Sequence, residues 1–455
     1  MRQMGGLLQE LRGGRLMARV FRSTSWILLG YGGSQALRLA SNLILTRLLF
    51  PEAFGLMALI SLVTVGLMLF SDVGIAPSIA QSKRGDDPDF LNTAWSIQVI
   101  RGIGLWAIAT ALAVPFAAFY NAPELVKYLP VAALALLVTG FNPTRIETAH
   151  RHLMMGRLTL LDLASQLIGL VVMVVMAWVM QSVLALVIGG VVGALVKLGL
   201  TWIYLPGPAN RFRWEPAAVR ELVTFGKWIF LSTAFWFFAS QGDRAVLGKF
   251  LSLESLGIYN IAFFLATFAM QLGSAVTGRV MIPVYRDAKH EVAKIAKLRG
   301  AISAVVLLLL LVMAFAGPAV IGLLYDPRYA LAGGMVTLLS VALIPQVIGM
   351  SYDQAALAAG DSRRFFVVSA SRAVFQIGFL ITGVMLFGLI GAIVGMGLAH
   401  LLTHPVMIWL ARKHDAWDMR HDIICGLGAG SLGALALWVN REAIAVLVSV
   451  GTGGS

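Results

Sequence analysis

The sequence predicts an all-α polytopic membrane protein with two pseudo-symmetric six-helix lobes and one or two further C-terminal helices, 13–14 spans in all. The first observation is composition: of 455 residues, 59% are hydrophobic and 13% are charged, with a mean hydropathy of +0.84. Soluble domains do not have this composition. The second is a series of apolar runs, each about 20 residues long and able to cross a bilayer core as a helix. The third is a motif that occurs twice at a fixed spacing.

Helices are the required elements, because backbone polar groups in lipid must be hydrogen-bonded within each segment. A further apolar tail at 443–450 is too short to cross the bilayer by itself. The predicted spans, in chain order, cover 26–49, 54–80, 91–119, 128–150, 158–180, 183–205, 225–249, 255–283, 300–325, 332–359, 364–387, 389–411 and 421–439.

These spans divide the chain into five regions. The first 25 residues carry five arginines but no short apolar core followed by a cleavage site, so we expect a retained cytosolic amphipathic segment there. The predicted regions are this segment (1–25), an N-lobe (26–205), a cytosolic inter-lobe linker (206–224), a C-lobe (225–411) and one or two additional helices (412–455).

The positive charges predict the orientation of the spans. When the connections are numbered in order, twenty-three Lys and Arg lie at the N-terminus and in the even-numbered connections, against five in the others. Because cytosolic loops are enriched in Lys and Arg, this asymmetry predicts a cytosolic N-terminus. The same rule accounts for the net charge of +13, so we expect no nucleic-acid partner. The single cysteine, Cys425, excludes an intrachain disulfide and a multi-cysteine metal site.

The repeated motif is LTRLLFPEAFG at 45–55, with a near copy, LGKFLSLESLG, at 247–257. At this offset of 202 residues, the matches that an apolar composition does not explain are Trp26 with Trp228, Glu52 with Glu254 and Gly55 with Gly257. Two six-helix halves that enter from the same face form a parallel repeat about an axis along the membrane normal. Two such lobes enclose a cleft that can open to alternate sides, which is the geometry of a transporter.

Polar side chains form stripes along spans 1, 7 and 8, and two of them are arginines well inside a span. A lone charge at mid-bilayer costs roughly 2.5–3.5 kcal/mol, so Arg38 and Arg244 favour a water-filled cavity. Guanidinium groups bind phosphate or carboxylate oxygens, and the neighbouring amides and hydroxyls suit a sugar-rich ligand. The predicted substrate-binding residues are Arg38, Arg244, Gln35, Asn42, Ser240, Gln271 and Asn260.

Three acids within spans, Asp72, Asp243 and Asp353, are candidates for coupling to a proton or sodium gradient, and the sequence favours neither ion. We expect no other cofactor. His400 and His404 have the spacing of a two-histidine metal site. Because no acidic third ligand stands beside them in the sequence, we expect packing or proton transfer there and no metal. No Ser/His/Asp arrangement or Gly-rich phosphate loop is present, so we do not expect an enzyme.

Three segments carry a family resemblance: LTRLLFPEAFGLMALI from residue 45, FSDVGIAPSIAQ from residue 70 and FYNAPEL from residue 119. With the two-lobed layout, they resemble the polysaccharide transporter family, including Wzx-type oligosaccharide flippases, of the multidrug/oligosaccharidyl-lipid/polysaccharide exporter superfamily. The resemblance extends from about Trp26 to Ala411. In this superfamily helices 1, 2, 7 and 8 line the central cavity, which agrees with the polar stripes.

The resemblance implies the substrate and the setting. The implied substrate is an undecaprenyl-pyrophosphate-linked oligosaccharide, moved from the cytosolic to the outer leaflet of the bacterial inner membrane for lipopolysaccharide or exopolysaccharide synthesis. The implied partners are membrane lipids and other polysaccharide assembly proteins.

Other functions remain open at the level of sequence. A lipid II flippase of the same superfamily would use the same chemistry. A cation-coupled multidrug exporter is less favoured, because a cationic cavity repels cationic drugs. A membrane-embedded glycan polymerase or ligase would need a sizeable external region, whereas the predicted external connections are short.

Overall fold

The computed structural model describes residues 25–27, 29–72, 74–287 and 291–452. Every regular element in that part of the chain is a helix, so the all-α prediction is confirmed. Nine of the described helices are long and apolar enough to cross a membrane, or ten if the bent pair Leu125–Gly140 and Arg145–Arg151 is one span. The predicted N-terminal segment, apart from Ser25, lies outside the described residues.

Contacts within the chain divide it into two compact units. The first unit is Met1–Leu49 with Val63–Thr233. Its helices are α1 (29–48), the second part of α2 (Pro51–Phe70), α3 (Ile75–Gln81), α4 (Pro88–Tyr120), α5 (Leu125–Ala132), α6 (Leu134–Gly140), α7 (Arg145–Arg151), α8 (Met155–Met180), α9 (Val183–Tyr204) and the first part of α10 (Pro216–Phe250).

The second unit is Phe50–Leu62 with Ala234–Ser455, so it holds the beginning of α2 and the end of α10. Its other elements are α11 (Leu253–Asp287), α12 (Val292–Leu324), a 3-10 turn (Pro327–Tyr329), α13 (Ala332–Gly349), α14 (Asp353–Ala358), α15 (Ser362–Lys413), α16 (Met419–Val439) and α17 (Arg441–Thr452).

Three predicted spans are interrupted. The span 54–80 breaks between α2 and α3, where Gly74 has a left-handed φ of 66° and donates its N–H to Asp72 Oδ1 at 2.8 Å. A side chain is strained in that conformation, so glycine suits the break. The other interrupted spans are 128–150, which forms α5, α6 and α7 with a bend of 61°, and 332–359, which forms α13 and α14.

The predicted boundary between spans 364–387 and 389–411 lies inside the 52-residue helix α15. Phe387 and Gly388 have non-helical dihedral angles there, and Gly388 has a φ of 58°. The two arms of α15 therefore correspond to the two predicted spans. The apolar tail forms α17, a helix of 12 residues, which is too short to cross the bilayer core.

The part of the first motif copy from Pro51 to Gly55 packs against the second copy within the second unit. A Cβ atom added at Gly55 would overlap the carbonyl oxygen of Leu253, and one added at Gly257 would overlap that of Pro51. At the repeat offset of 202 residues, Pro51 in the first copy corresponds to Leu253 in the second. Gly55 therefore contacts Leu253, and Gly257 contacts the equivalent residue of the first copy, Pro51. This reciprocal contact is what a two-fold axis between the copies produces, and it explains why both copies have glycine at this position.

Aromatic and charged side chains surround the first copy. The rings of Phe54 and Tyr329 meet edge to face at 6.1 Å. The Arg328 guanidinium lies 4.9 Å from the centre of the Phe50 ring and donates to Asp326 Oδ1 at 2.8 Å. Such contacts hold the 3-10 turn against the start of α2.

The connection after α9 is anchored along α4 in the first unit. Its backbone N–H groups donate to buried polar side chains of α4, whose oxygen atoms act as acceptors. The bonds join Arg211 to Asn92 Oδ1 (3.1 Å), Arg213 to Ser96 Oγ (3.0 Å) and Glu215 to Thr93 Oγ1 (3.2 Å). Helix α10 then begins at Pro216, within the predicted linker 206–224.

An ion-pair cluster also holds the end of this connection, at Glu215. Arg84 contacts Asp87 Oδ2 at 2.6 Å and Glu215 Oε2 at 2.7 Å. The hydrogen bond from Arg84 holds the pKa of Asp87 below its ordinary value, aided by the N–H of Asp89. Asp87 is also the N-cap of α4, which begins at Pro88.

We expect the reciprocal glycine contact to be required for stability. Gly257→Ala inserts a methyl group against the Pro51 carbonyl, and overpacking of this kind costs about 1–3 kcal/mol. Its thermal unfolding midpoint in detergent should fall. Gly104→Ala on α4 meets open space and is the matched control, because alanine favours a helix over glycine by about 0.5–1 kcal/mol. Equal midpoints for Gly257→Ala and wild type would show that the contact is not needed.

The Arg84 cluster should make stability depend on pH. Because the pKa of Asp87 is lowered in the folded protein, its contribution is present above the ordinary Asp pKa and is lost as the pH falls through the folded value. We expect Arg84→Gln to unfold at a lower temperature than wild type at pH 7, with a gap that closes as the pH falls below about 4. Lys83→Gln, at an exposed neighbouring position, is the control. A gap that stays constant with pH would contradict the assignment.

Candidate functional site

A cavity of about 510 Å³ in the first unit has Arg38 in its lining. It lies among α1, α8 and α9, and Ser34 and Ser41 are within one turn of Arg38 on α1. Across the cavity, Lys197 Nζ lies 2.7 Å from Asp162 Oδ1, and these side chains are 36% and 46% exposed. The lining thus has two cationic side chains, one anionic side chain and hydroxyl groups, which suits an anion with polar substituents.

Glycines make room for this cavity between α8 and α9. A Cβ atom added at Gly169 would lie 3.0 Å from the Cα of Gly193, and one added at Gly189 would lie 2.5 Å from the Met173 side chain. Small residues allow two helices in lipid to approach closely. They also line the cavity without filling it.

The other predicted residues on α1 have local partners. Gln35 is buried and donates from its Nε2 to Tyr31 Oη at 3.0 Å. The backbone carbonyl of Asn42 accepts the hydroxyl of Thr46 at 2.8 Å. The cavity is lined by Arg38 and its serine neighbours, and neither Gln35 nor Asn42 is among its described lining residues.

In the second unit, Arg244 of α10 is held by neutral groups. Its Nε donates to Asn260 Oδ1 at 3.1 Å, and its Nη1 donates to Gln241 Oε1 at 2.9 Å. Its guanidinium carbon lies 5.4 Å from the centre of the Phe263 ring. These partners orient the guanidinium but do not neutralise its charge, so it can still attract an anion.

The neighbouring acid, Asp243, has a different partner. It is 1% exposed, and its Oδ2 accepts the hydroxyl of Tyr259 at 3.0 Å. Its Oδ1 has no hydrogen-bond partner among the described residues. A buried carboxylate with an unfilled acceptor site is suited to binding a proton or a cation.

Ser240 and Gln271 bond within their own helices. The Ser240 hydroxyl donates to the Phe237 carbonyl at 3.4 Å, and Gln271 Nε2 donates to Thr267 Oγ1 at 3.0 Å. Of the polar residues predicted on spans 7 and 8, the structure brings Arg244 and Asn260 together. Arg38 is described in the first unit and Arg244 in the second.

Two other predicted acids have structural partners. Asp353, in the first turn of α14, lies 3.2 Å from Arg372 of α15, and its Oδ1 has no partner among the described residues. Asp72 accepts the Gly74 N–H at the break after α2, which is a turn-forming role.

Sequence reasoning did not assign Lys197, Asp162, Gln241, Tyr259 or Arg372 to the site. A signal was present for the Lys197–Asp162 pair, since the short connection between α8 and α9 makes them an antiparallel hairpin that brings the two positions to a similar depth. For Tyr259 no such signal exists, because the pairing of its hydroxyl with Asp243 depends on how α10 and α11 are rotated.

An acidic side chain stands beside His404 in the structure, although none stands beside it in the sequence. His404 Nε2 lies 3.2 Å from Asp422 Oδ2, an acid on α16 that is close in space but not in sequence. Asp422 also accepts bonds from Tyr352, at 2.6 Å, and from Trp417, at 3.0 Å. Among the described residues no group of three or more His, Cys, Asp or Glu side chains has the arrangement of a metal site.

The chain is similar in sequence to polysaccharide biosynthesis proteins. The sequence model of the family described as "Polysaccharide biosynthesis protein" matches residues 44–330. The succinoglycan biosynthesis transport protein ExoT of Rhizobium meliloti is 22% identical over 87% of this chain and 81% of its own length. The lipopolysaccharide biosynthesis protein WzxC of Escherichia coli is 24% identical over 57% of this chain and 53% of its own.

The teichuronic acid biosynthesis protein TuaB of Bacillus subtilis is 23% identical over 50% of this chain. The match spans about half the length of TuaB (47%) and of WzxC (53%).

Solved transporter structures share the fold. The lipid II flippase MurJ, in an inward closed conformation, has a TM-score of 0.69 at 10% identity, with 93% of this chain and 97% of that chain covered. An inward-facing multidrug resistance MATE family transporter of the MOP superfamily has a TM-score of 0.62 at 16% identity, with 84% and 95% covered. These identities show the fold alone, whereas the family match covers more than half of the sequence. The chain is a multi-pass membrane protein that belongs to the polysaccharide biosynthesis protein family.

Proposed function

We propose that this protein is a flippase that moves an undecaprenyl-pyrophosphate-linked oligosaccharide from the cytosolic to the outer leaflet of the bacterial inner membrane. The main supporting observation is that Arg244 of α10 is oriented by two neutral amides and an aromatic ring, so its charge remains available to an anion. Membership of the polysaccharide biosynthesis protein family supports a glycan-bearing substrate. The names of ExoT, a transport protein, and WzxC support the same direction.

The proposed binding assigns the diphosphate to arginines and the sugars to neighbouring polar side chains. Arg38 and Arg244 each offer a planar guanidinium that can donate two hydrogen bonds to a phosphate group of the diphosphate. Ser34, Ser41 and Asn260 are positioned near these arginines and suit sugar hydroxyls. The polyprenyl tail stays in the lipid, so binding does not require a free-energy cost for moving the tail out of the hydrocarbon.

Alternating access follows from charge neutralisation. An unloaded cavity lined by cationic side chains is costly to close away from water, because the charges lose their hydration. Diphosphate binding neutralises them, so the loaded protein can close and then open toward the other leaflet. In this proposal the lobes 26–205 and 225–411 rock against each other, with the N-terminus in the cytosol as the loop charges predict. The same cycle would also move lipid II. In this proposal the polar side chains that contact the sugars determine which of the two substrates binds.

Of the three acids considered for ion coupling, we favour Asp243 and Asp353. Each has one carboxylate oxygen with no partner among the described residues. Asp72 is less favoured, because it is used at the break after α2.

Replacing both arginines should abolish glycan display. Each charge-assisted hydrogen bond is worth about 1.5–3 kcal/mol, so the double variant Arg38→Ala/Arg244→Ala should lower transport by more than tenfold. The measurement is surface polysaccharide in cells that lack the chromosomal gene, with protein abundance in the membrane checked by immunoblot. Arg211→Ala, in the connection after α9, is the control and should keep wild-type display. Normal display in the double variant would end the proposal.

Substituting Asp243 should separate binding from coupling. Asp243→Asn keeps an acceptor for Tyr259 but cannot carry a charge or a proton. In proteoliposomes we expect it to bind substrate as wild type does while losing stimulation by a proton or sodium gradient. Tyr259→Phe, which keeps the carboxylate, should retain the stimulation. Full stimulation in Asp243→Asn would exclude Asp243 from coupling.

A further inference from the structure

A second large cavity, of about 890 Å³, lies within the second unit, away from Arg244. It is formed where α11 ends, α12 and α16 begin and the connection between α15 and α16 passes. The loop charges predict that this end faces the cytosol. Its size falls within the range of pockets that hold small molecules.

The wall of this cavity contains a buried cation, Arg299. This side chain is 3% exposed, and its Nη2 donates to Tyr285 Oη at 2.9 Å and to the Ala416 carbonyl at 2.6 Å. Its guanidinium carbon lies 4.9 Å from the centre of the Tyr352 ring. Its Nη1 is 3.5 Å from Asp418 Oδ2, beyond ordinary hydrogen-bond length. Its Nε has no partner among the described residues. A buried guanidinium that is only partly compensated is costly unless an anion approaches it.

Other lining groups carry charge or can form hydrogen bonds. Arg286 and Arg420 line the cavity and are exposed, and His414 lines it with its Nε2 3.2 Å from Asp361 Oδ2. Two acids line it as well. Asp418 is engaged as the N-cap of α16, where its Oδ1 accepts the His421 N–H at 3.1 Å, and Asp415 is exposed.

The charge balance therefore favours an anion. Three arginines face two carboxylates, and one of those carboxylates is already bonded to the start of α16 and close to Arg299. The first turn of α16 adds the partial positive charge of a helix N-terminus. Trp417 and five alanines supply an apolar wall on the remaining sides, which suits a ligand with a compact anionic head and an uncharged body.

We propose that this cavity is a second anion site that binds a phosphate group, independent of the site at Arg38 and Arg244. Arg420 and Arg286 contact the phosphate oxygens, and Arg299 provides a fixed positive charge behind them. The phosphate belongs to the headgroup of an anionic membrane lipid or to a soluble phosphate compound. The shared chemistry is a tetrahedral oxyanion bound by guanidinium groups.

The test uses the full-length protein in nanodiscs and follows thermal unfolding by tryptophan fluorescence. One arm titrates inorganic pyrophosphate into phosphatidylcholine nanodiscs, and the other replaces a graded share of the phosphatidylcholine with phosphatidylglycerol. A saturable rise in unfolding temperature in the first arm identifies a soluble phosphate. A rise in the second arm alone identifies a lipid headgroup.

Variants locate the binding. Arg420→Gln and Arg286→Gln should shift the midpoint of the responding arm at least tenfold, whereas Arg363→Gln, at an exposed position in the first turn of α15 that does not line the cavity, should leave it unchanged. Arg299 is not substituted, because its burial makes unfolding the expected result.

Three results would overturn this proposal. The first is the absence of a rise in both arms, and the second is an equal rise in all variants. The third is loss of the rise in Arg38→Gln/Arg244→Gln, because the anion would then be binding at the proposed substrate site. A retained rise in that double variant, with no glycan display, supports two separate sites.

Discussion

Charge inside a membrane is the constraint on which this structure depends. A charged side chain in the hydrocarbon region must find a counter-charge, neutral hydrogen-bond partners or water. Asp162 with Lys197 and Asp353 with Arg372 take the first solution. Arg244 takes the second, through Asn260 and Gln241. The two solutions have different consequences. The ion pairs hold helices together, whereas Arg244 is oriented by neutral partners and can still bind an anion.

The repeated motif solves a different problem, which is how closely two helices can approach. Gly55 and Gly257 allow the starts of α2 and α11 to meet with backbone in contact with backbone. In lipid such packing stabilises helix pairs without a hydrophobic driving force. Because the contact is reciprocal, a change in either glycine affects the same interface, and this accounts for the presence of glycine in both copies. The surrounding rings of Phe54 and Tyr329 complete the packing on one side.

The sequence predicted the helices well because length and apolar character determine which segments can cross a bilayer. It also predicted the boundary near Gly388, where glycine follows a long apolar run. It did not predict the break at Gly74 or the bend within 128–150, since a helix can contain glycine or proline without breaking. Those outcomes depend on neighbouring helices.

For the site, spacing along one helix led to the prediction of Arg38 and Arg244 as binding residues, but it did not predict their partners. The pairing of Tyr259 with Asp243 and of His404 with Asp422 depends on the rotation and depth of two helices, which periodicity in one helix does not specify. For the same reason Gln35 was predicted to line the cavity with Arg38, whereas it bonds to Tyr31.

The most direct test of the account is whether the arginine-bearing surfaces are wet and occupied by a diphosphate. Cysteines placed at Ser41 and Ser240, in a Cys425→Ser background, can be labelled with a water-soluble maleimide in the purified protein. The account predicts that both cysteines react, and that undecaprenyl diphosphate slows the reaction while undecaprenol does not. Cysteines that do not react, or that react equally fast with both lipids, would contradict it.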